Sequence, residues 1–255
     1  VPRAQCLLPD GPNYRRDGFL AGLREAGFDV VPRVDRPGRG DILVIWNRSA
    51  SRELDAQRFE YGGARVLVCE NGYLGKNWNG HRWYALAWGH HSGAGIWPDG
   101  GAARWDSWGV GLAPWRQGGS ETVILAQRGI GEPGIASPVN WAQSVQRRIG
   151  GRIRQHPGAT ESPPVSLADD LADAGSVVTF HSSGALLALT MGVPVWYDFD
   201  RWVGAGAARP LSEFGGEPKL DDVARLETMR RLAWAMWTAD EIRDGTALKE
   251  LACMS

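Results

Sequence analysis

The chain has 255 residues, enough for one large domain or two smaller ones with separate cores. Its 43% hydrophobic and 22% charged content excludes an extended disordered chain, and its net charge of -1 excludes a polycation built as a whole for nucleic acid. No apolar run approaches the ~20 residues of a membrane span, no leader-like apolar core opens the chain, and Cys6, Cys69 and Cys253 show no paired spacing, so composition points to a reducing, cytoplasmic setting without a zinc site or disulfide framework.

In chain order, "AQCLL" (4–8) predicts a buried strand, and "YRRDGFLAGLREAG" (14–27) an amphipathic helix ended by Gly27. "FDVVP" and "DILVIW" (41–46) predict the second and third strands. "SASRELDAQRFEYGG" (49–63) predicts a helix capped by Ser49 or Ser51, and "ARVLVCE" (64–70) a fourth strand. Alternation of this kind implies a parallel sheet whose ligand-facing edge is the carboxyl end of its strands. Those ends carry Asp10, Trp46, Asn47, Glu70 and Asn71.

Residues 71–118 are rich in Gly, Trp, His and Asn with little helical period, which predicts a site-lining excursion containing one short strand, "WYALAWG". A second alternating series begins near 121. It runs as strand 121–127, a glycine-rich loop "RGIGEPGIAS", and helix 137–150 with Ser137 as cap and Pro138 in its first turn. Strand 151–158, helix 166–175, strand 176–180, helix 183–192 and strand 193–198 follow. The tail reads as two helices broken near Trp237-Thr238. The expected fold is α/β: two Rossmann-like halves facing a cleft, residues 1–118 and 119–255, with a closing C-terminal helical tail.

Three stretches of the second half suit an anion. In "TFHSSGALLALT" a strand hands over to a helix at Ser182, Ser183 and Gly184. Helix N–H groups, two hydroxyls and a close backbone make a phosphate seat there, or one serine simply caps the helix. In "RIRQHPG" the residues Arg152, Arg154 and His156 alternate at strand spacing. His156 then donates to a phosphate or leaving group, or bonds backbone in a turn. In "AQRGIGEPG", Gln127, Arg128, Gly129 and loop N–H groups are further phosphate candidates, without a P-loop pattern.

Together, "IRQHPG" and "LADDLADAGSVVTFHSSGALLALTMGVPVW" resemble the nucleotide-sugar half of GT-B glycosyltransferases. The groups most alike carry a His-Pro and a Ser-Ser motif, as bacterial sialyltransferases and capsule Kdo transferases do. The resemblance spans roughly residues 121–200. It implies that His156 and Ser182 or Ser183 contact the donor's phosphates, that a UDP- or CMP-linked sugar is the substrate, and that no metal or tightly bound cofactor is needed. "CENGYLG", "WYALAWGHHSGAG" and "APWRQGG" also resemble phage-encoded proteins of this superfamily. That likeness implies duplex DNA with a hydroxymethylated pyrimidine as acceptor, in host cytoplasm. A local arginine face (Arg15, Arg16, Arg48, Arg52, Arg82, Arg104) would serve it, and strong salt dependence would betray it. The rival acceptor is a bacterial surface glycan. Other classes are a non-catalytic nucleotide- or glycan-binding module and another phosphate-using transferase or an epimerase.

The chain lacks the acidic-acidic-glycine motif of the bacterial enzymes; Pro9-Asp10-Gly11 and Glu70-Asn71-Gly72 come nearest. An inverting transfer needs a carboxylate to take the acceptor's proton. Glu70 either orients backbone in its turn or serves as the base; as base it is preferred to Asp10, because mobile-looking glycine-rich sequence follows it. Asn71, Tyr73, His90, His91, Trp115 and Arg116 are the acceptor-side candidates. Adjacent histidines do not suit one metal ion, and His90 and His91 either meet the acceptor or, the favoured reading, build a structural turn. The other tryptophans of this stretch either stack on a sugar or base or fill the core.

Overall fold

A computed structural model describes residues 1–131, 135–159 and 165–253. The middle of the glycine-rich loop, Glu132 to Gly134, lies outside them. The chain divides into two compact units, residues 1–100 with 233–255, and residues 101–232. The sequence reading puts one boundary near Gly118-Gly119 instead. Gly119 packs against the backbone of Gly175, where a Cβ would lie 2.7 Å from its Cα, so that glycine pair is a joint inside the second unit.

The first unit runs β1 (Arg3–Cys6), α1 (Arg16–Glu25), β2 (Asp29–Val30), β3 (Ile42–Trp46), α2 (Ala50–Tyr61), β4 (Arg65–Asn71), β5 (Asn77–Trp78) and β6 (His81–Trp88). The second runs α3 (Ala103–Ser107), β7 (Glu121–Leu125), α4 (Trp141–Ile149), β8 (Arg152–Arg154), α5 (Leu167–Asp170), β9 (Ala174–Thr179), α6 (Gly184–Thr190), β10 (Val195–Tyr197), β11 (Arg209–Pro210) and α7 (Asp222–Ala233). The chain then returns to the first unit as β12 (Met236–Thr238), α8 (Ala239–Arg243) and α9 (Thr246–Ala252).

The first sheet is mixed, in the order β12-β6-β4-β3-β1-β2. Strands β1 to β4 are parallel, while β6 is antiparallel to both β4 and β12, so the expectation of a parallel sheet holds for only part of it. β3 and β4 are buried along almost their whole length, as their unbroken apolar sequences require of strands covered on both faces. Leu43, Ile45, Val66 and Val68 pack with Ala56 and Phe59 of α2. In α1, Gly22 meets the carbonyl of Ile242 in α8 so closely that a Cβ would lie 1.7 Å from the oxygen; no other residue permits that crossing.

The second sheet is wholly parallel, in the order β11-β10-β9-β7-β8. Counted within the unit, this is strand order 2-1-3-4-5, whose switch point lies between β7 and β9. Ala185, Leu186, Ala188 and Leu189 form the buried side of α6.

Three expected elements differ. The helix expected to start at Ser137 begins at Trp141, after Asn140 in a left-handed conformation, and Ser137 is buried rather than capping. The helix expected over 166–175 is the single turn α5, capped by Ser166 through the Asp169 N–H, and its remainder is given up to β9. The tail's expected helix break is β12, which pairs with β6 through Met236, Trp237 and Thr238. Ser49 does precede α2, but its hydroxyl meets Ser51 at 3.0 Å and makes no cap bond.

Candidate functional site

In the second unit, Leu125 of β7 lies in register with Arg154 of β8 on one side and Thr179 of β9 on the other. The residues that follow these three strand ends therefore share one edge of the sheet: Gln127, Arg128 and Gly129 after β7, His156 after β8, and His181 to Gly184 after β9.

Gln127 and His181 hold this edge together across the switch point. The Gln127 carbonyl accepts the His181 backbone N–H at 2.9 Å, and its amide meets His181 Nδ1 at 2.8 Å. His181 Nε2 lies 2.8 Å from the Ile135 carbonyl, so Nε2 carries the proton and Nδ1 accepts. Gln127 thus supports the turn. Ser182 does likewise: its N–H donates to Thr179 Oγ1 at 2.7 Å, and its hydroxyl accepts the Gly184 N–H at 3.1 Å. The capping role falls to Ser182, which leaves the exposed Ser183 as the open hydroxyl of the pair.

His156 Nδ1 accepts the Gly158 N–H at 2.9 Å, which leaves Nε2–H as its donor. Burial, and secondarily the Arg128 guanidinium, hold its pKa below the usual histidine value, so the ring is neutral at pH 7. Arg128 is exposed, and Nη1 lies 3.5 Å from where a Gly158 Cβ would stand. Gly129 turns the chain with φ 63°.

Arg154 is not part of this edge. It is buried, with Nη1 on Asp170 at 2.6 Å and Nη2 on the Val165 carbonyl at 2.9 Å. Arg152 reaches the same carboxylate at 3.0 Å and pairs with Glu121. Strand alternation placed both arginines on one face, but that face is occupied by Asp170 of α5. Trp115 and Arg116 are also displaced from the expected acceptor half, since both belong to the second unit. Arg116 binds the carbonyls of Leu171 and Ala174, at the amino end of β9 and so at the opposite edge from His156. Trp115 lies under the Arg225 guanidinium at 3.9 Å.

In the first unit, Glu70 sits near the end of β4, half-buried. Burial pushes its pKa up to about 7, against the pull of the Ser92 N–H, which donates to Oε1 at 2.8 Å, and of the Tyr73 hydroxyl. Tyr73 is 3% exposed, and its hydroxyl makes no hydrogen bond of acceptable geometry. Asp10 is exposed and paired with Arg16 at 2.8 Å. Asn71 is exposed and accepts from Arg82 at 3.2 Å. His90 and His91 are buried, not open to an acceptor. Their rings lie 4.6 Å apart, His90 Nδ1 accepts the His91 N–H, and His91 Nδ1 accepts the Arg48 N–H. They shape the turn that presents Ser92, whose φ of 55° aims its N–H at Glu70; the residues "HHSG" are the one sequence signal for that contact.

The expected arginine face is largely committed. Arg48 is buried between Glu53 and Glu60, Arg16 pairs with Asp10, Arg52 with Asp55, Arg82 binds the Asn13 carbonyl, and Arg104 lies over Trp108. Among the described residues, no group of three His, Cys, Asp or Glu side chains could hold a metal ion, and no helix is long and apolar enough to cross a membrane.

No protein-family description and no curated protein matches the sequence. Solved structures do match the fold. The beta Kdo 2,7 transferase of KpsC from Thermosulfurimonas dismutans superposes with a TM-score of 0.55 over 98% of this chain and 100% of its own, at 13% identity. The beta Kdo 2,4 transferase of the same protein superposes with a TM-score of 0.52 over 92% of this chain and 89% of its own, at 14% identity. The α/β arrangement of one mixed and one parallel sheet is thus a fold shared with KpsC.

Proposed function

We propose that the protein is a glycosyltransferase of GT-B type that moves a sugar from a nucleotide donor to a hydroxyl of a glycan. The observation that carries this reading is the second unit's sheet edge. A neutral His156 with a free Nε2–H stands beside Arg128 and the Ser183-Gly184 turn, at the carboxyl ends of strands flanking a topological switch point. A hydrogen-bond donor, a guanidinium and helix N–H groups are what a departing nucleotide phosphate requires. The fold shared with two Kdo transferases supports the same reading and makes a Kdo-type sugar and a CMP-linked donor the first to try. It also favours a surface glycan over DNA as acceptor, as does the commitment of the arginine face.

In this reading Arg128, His156, Ser183 and the backbone of Gly129 and Gly184 meet the donor, while Gln127 and Ser182 hold their turns. Glu70 takes the proton from the acceptor hydroxyl. The acceptor oxygen bonds to the anomeric carbon, the bond from that carbon to the phosphate oxygen breaks, and the electron pair leaves with the nucleotide. A carboxylate with a pKa of about 7 holds such a proton well enough to accelerate the step and loses it readily afterwards. Asn71 flanks the acceptor and Asp10 is the alternative base, while Tyr73, 3% exposed, is shut off from an acceptor as His90 and His91 are.

The test is thermal stabilisation by UDP, CMP, GDP and dTDP nucleotides. One base should stand out, adding about 2.7 kcal/mol at ~100 times its dissociation constant, and the effect should vanish in His156→Ala. Binding without turnover of any nucleotide sugar would leave a nucleotide-binding module; no shift with any nucleotide removes the transferase.

A further inference from the structure

Tyr14 and Trp46 meet edge to face in the first unit, with ring centroids 4.9 Å apart and planes at 87°. Trp46 closes β3, and Tyr14 lies in the loop that leads from β1 to α1. Each is followed by a residue in the left-handed region, Arg15 and Asn47, both with φ 49°. Backbone of this kind, rare for an arginine, persists only where the surroundings impose it, and it gathers at ligand clamps.

The surroundings here are rigid. Tyr84 of β6 is fully buried, stands edge-on to Trp46 at 6.2 Å, and donates its hydroxyl to the Asn13 carbonyl at 3.2 Å. Arg82 lies over the Tyr84 ring and donates to the same carbonyl and to Asn71 Oδ1 of β4. The N–H groups of Tyr14 and Arg15 both donate to the Gly11 carbonyl. The loop is thus fastened to β4 and β6, and the two rings are fixed before any ligand arrives.

Packing alone does not account for what they present. Both rings are half-buried. The Tyr14 hydroxyl, the Trp46 indole N–H and the Asn47 side-chain amide make no hydrogen bond among the described residues, and none of them is cut off from solvent. Trp83, Trp88 and Trp141, by contrast, donate theirs to protein acceptors. A fixed aromatic surface edged by open donors and acceptors suits a pyranose. That ring has an apolar C–H face to stack on an aromatic side chain and a rim of hydroxyls for the amide and the indole N–H. Trp46 is in register with Cys69, the residue before Glu70, so these rings and the proposed base occupy neighbouring strand ends.

We propose that Tyr14, Trp46 and Asn47 form a saccharide platform: a pyranose of the acceptor glycan stacks on the aromatic pair, and the Asn47 amide and Trp46 N–H bond its hydroxyls. As an acceptor site it rests on the proposed transfer; as a saccharide site it does not.

The experiment is fluorine-19 NMR of the full chain labelled with 5-fluorotryptophan, the Trp46 resonance being identified by its loss in Trp46→Phe. The probes are the methyl glycosides of glucose, galactose, N-acetylglucosamine and Kdo, with sorbitol as a polyol that lacks a ring face. At least one pyranoside should shift the Trp46 resonance saturably, and sorbitol should not. Asn47→Gly suits the left-handed backbone and removes the amide; it should weaken that binding about tenfold, and by displacing the same resonance it identifies Trp46 if Trp46→Phe does not fold. A Trp46 resonance moved by none of the pyranosides, moved equally by sorbitol, or moved with unchanged affinity in Asn47→Gly overturns the platform. Where turnover is measurable, Asn47→Gly should raise KM for the acceptor and leave the nucleotide response unchanged. Pyranoside binding at Trp46 in a chain that no nucleotide stabilises upholds the platform and refutes the transferase; a nucleotide response without pyranoside binding at Trp46 overturns the platform alone.

Discussion

In the proposed transfer, Glu70 would couple activity to stability through one side chain. Its pKa is raised in the folded chain, to about 7 from an ordinary 4.5, and burial is the main cause. The folded state therefore holds the proton more tightly than the unfolded state. That contribution is fully present below pH ~4.5 and is lost as pH rises through 7. Glu70→Gln keeps an acceptor for the Ser92 N–H and removes the buried charge. It should lower kcat by ~10²–10⁴. In denaturant titrations at pH 8 it should gain up to ~3 kcal/mol, a gain that disappears near pH 4.5. Equal stability at both pH values would show that the carboxyl is not held in this environment. Glu70 and His156 were legible as candidates because one lies at the end of a strand and the other just beyond one, where side chains are presented to ligands. It misassigned Arg154 because alternation gives a face and not its occupant; the Asp170 carboxylate that neutralises it arrives sixteen residues later, on another element.

Among the elements, β12 was the hardest to read. "LAWAMWT" is a short apolar run, and such runs do not tell strand from buried helix by periodicity. Its identity is settled by the open edge of β6, a partner more than 140 residues away in sequence. The hairpin of β5 and β6 was legible and overlooked. Asn79 and Gly80 have φ of 46° and 76° between the paired Trp78 and His81, the two-residue turn that Asn-Gly forms most readily. The false start of α4 has the opposite lesson: Ser137-Pro138 is a sound capping sequence that the backbone does not use. Thr238 shows a cap that is used. It ends β12 and opens α8 with a reciprocal capping box to Glu241. Thr238→Ala should cost about 1 kcal/mol in chemical unfolding and leave the affinity for nucleotides unchanged.

For the whole molecule, the two units differ in how the chain builds them. Residues 101–232 are continuous, with their own parallel sheet and helices. Residues 1–100 are incomplete until 233–255 supply β12, α8 and α9; without them the antiparallel side of the first sheet ends at β6, and α1 loses its packing partner α8. A fragment of residues 101–232 should therefore fold, show a cooperative thermal transition and keep the nucleotide response of the full chain. A fragment of residues 1–100 should not fold unless 233–255 are supplied, covalently or in trans. An equal cooperative transition in both would contradict the division. The sequence suggested the two alternating series but not this return, because a chain crossing back leaves no local mark.

The return has a consequence for biosynthesis. A ribosome extends the chain at ~5–20 residues per second, so residues 1–100 emerge and then wait on the order of ten seconds while the second unit is made. During that wait the edge of β6 and the α1 surface at Gly22 are uncovered, an invitation to chaperones and to neighbouring nascent chains on the same message. The later-made unit can reach its native state first, and the earlier-made one is finished last.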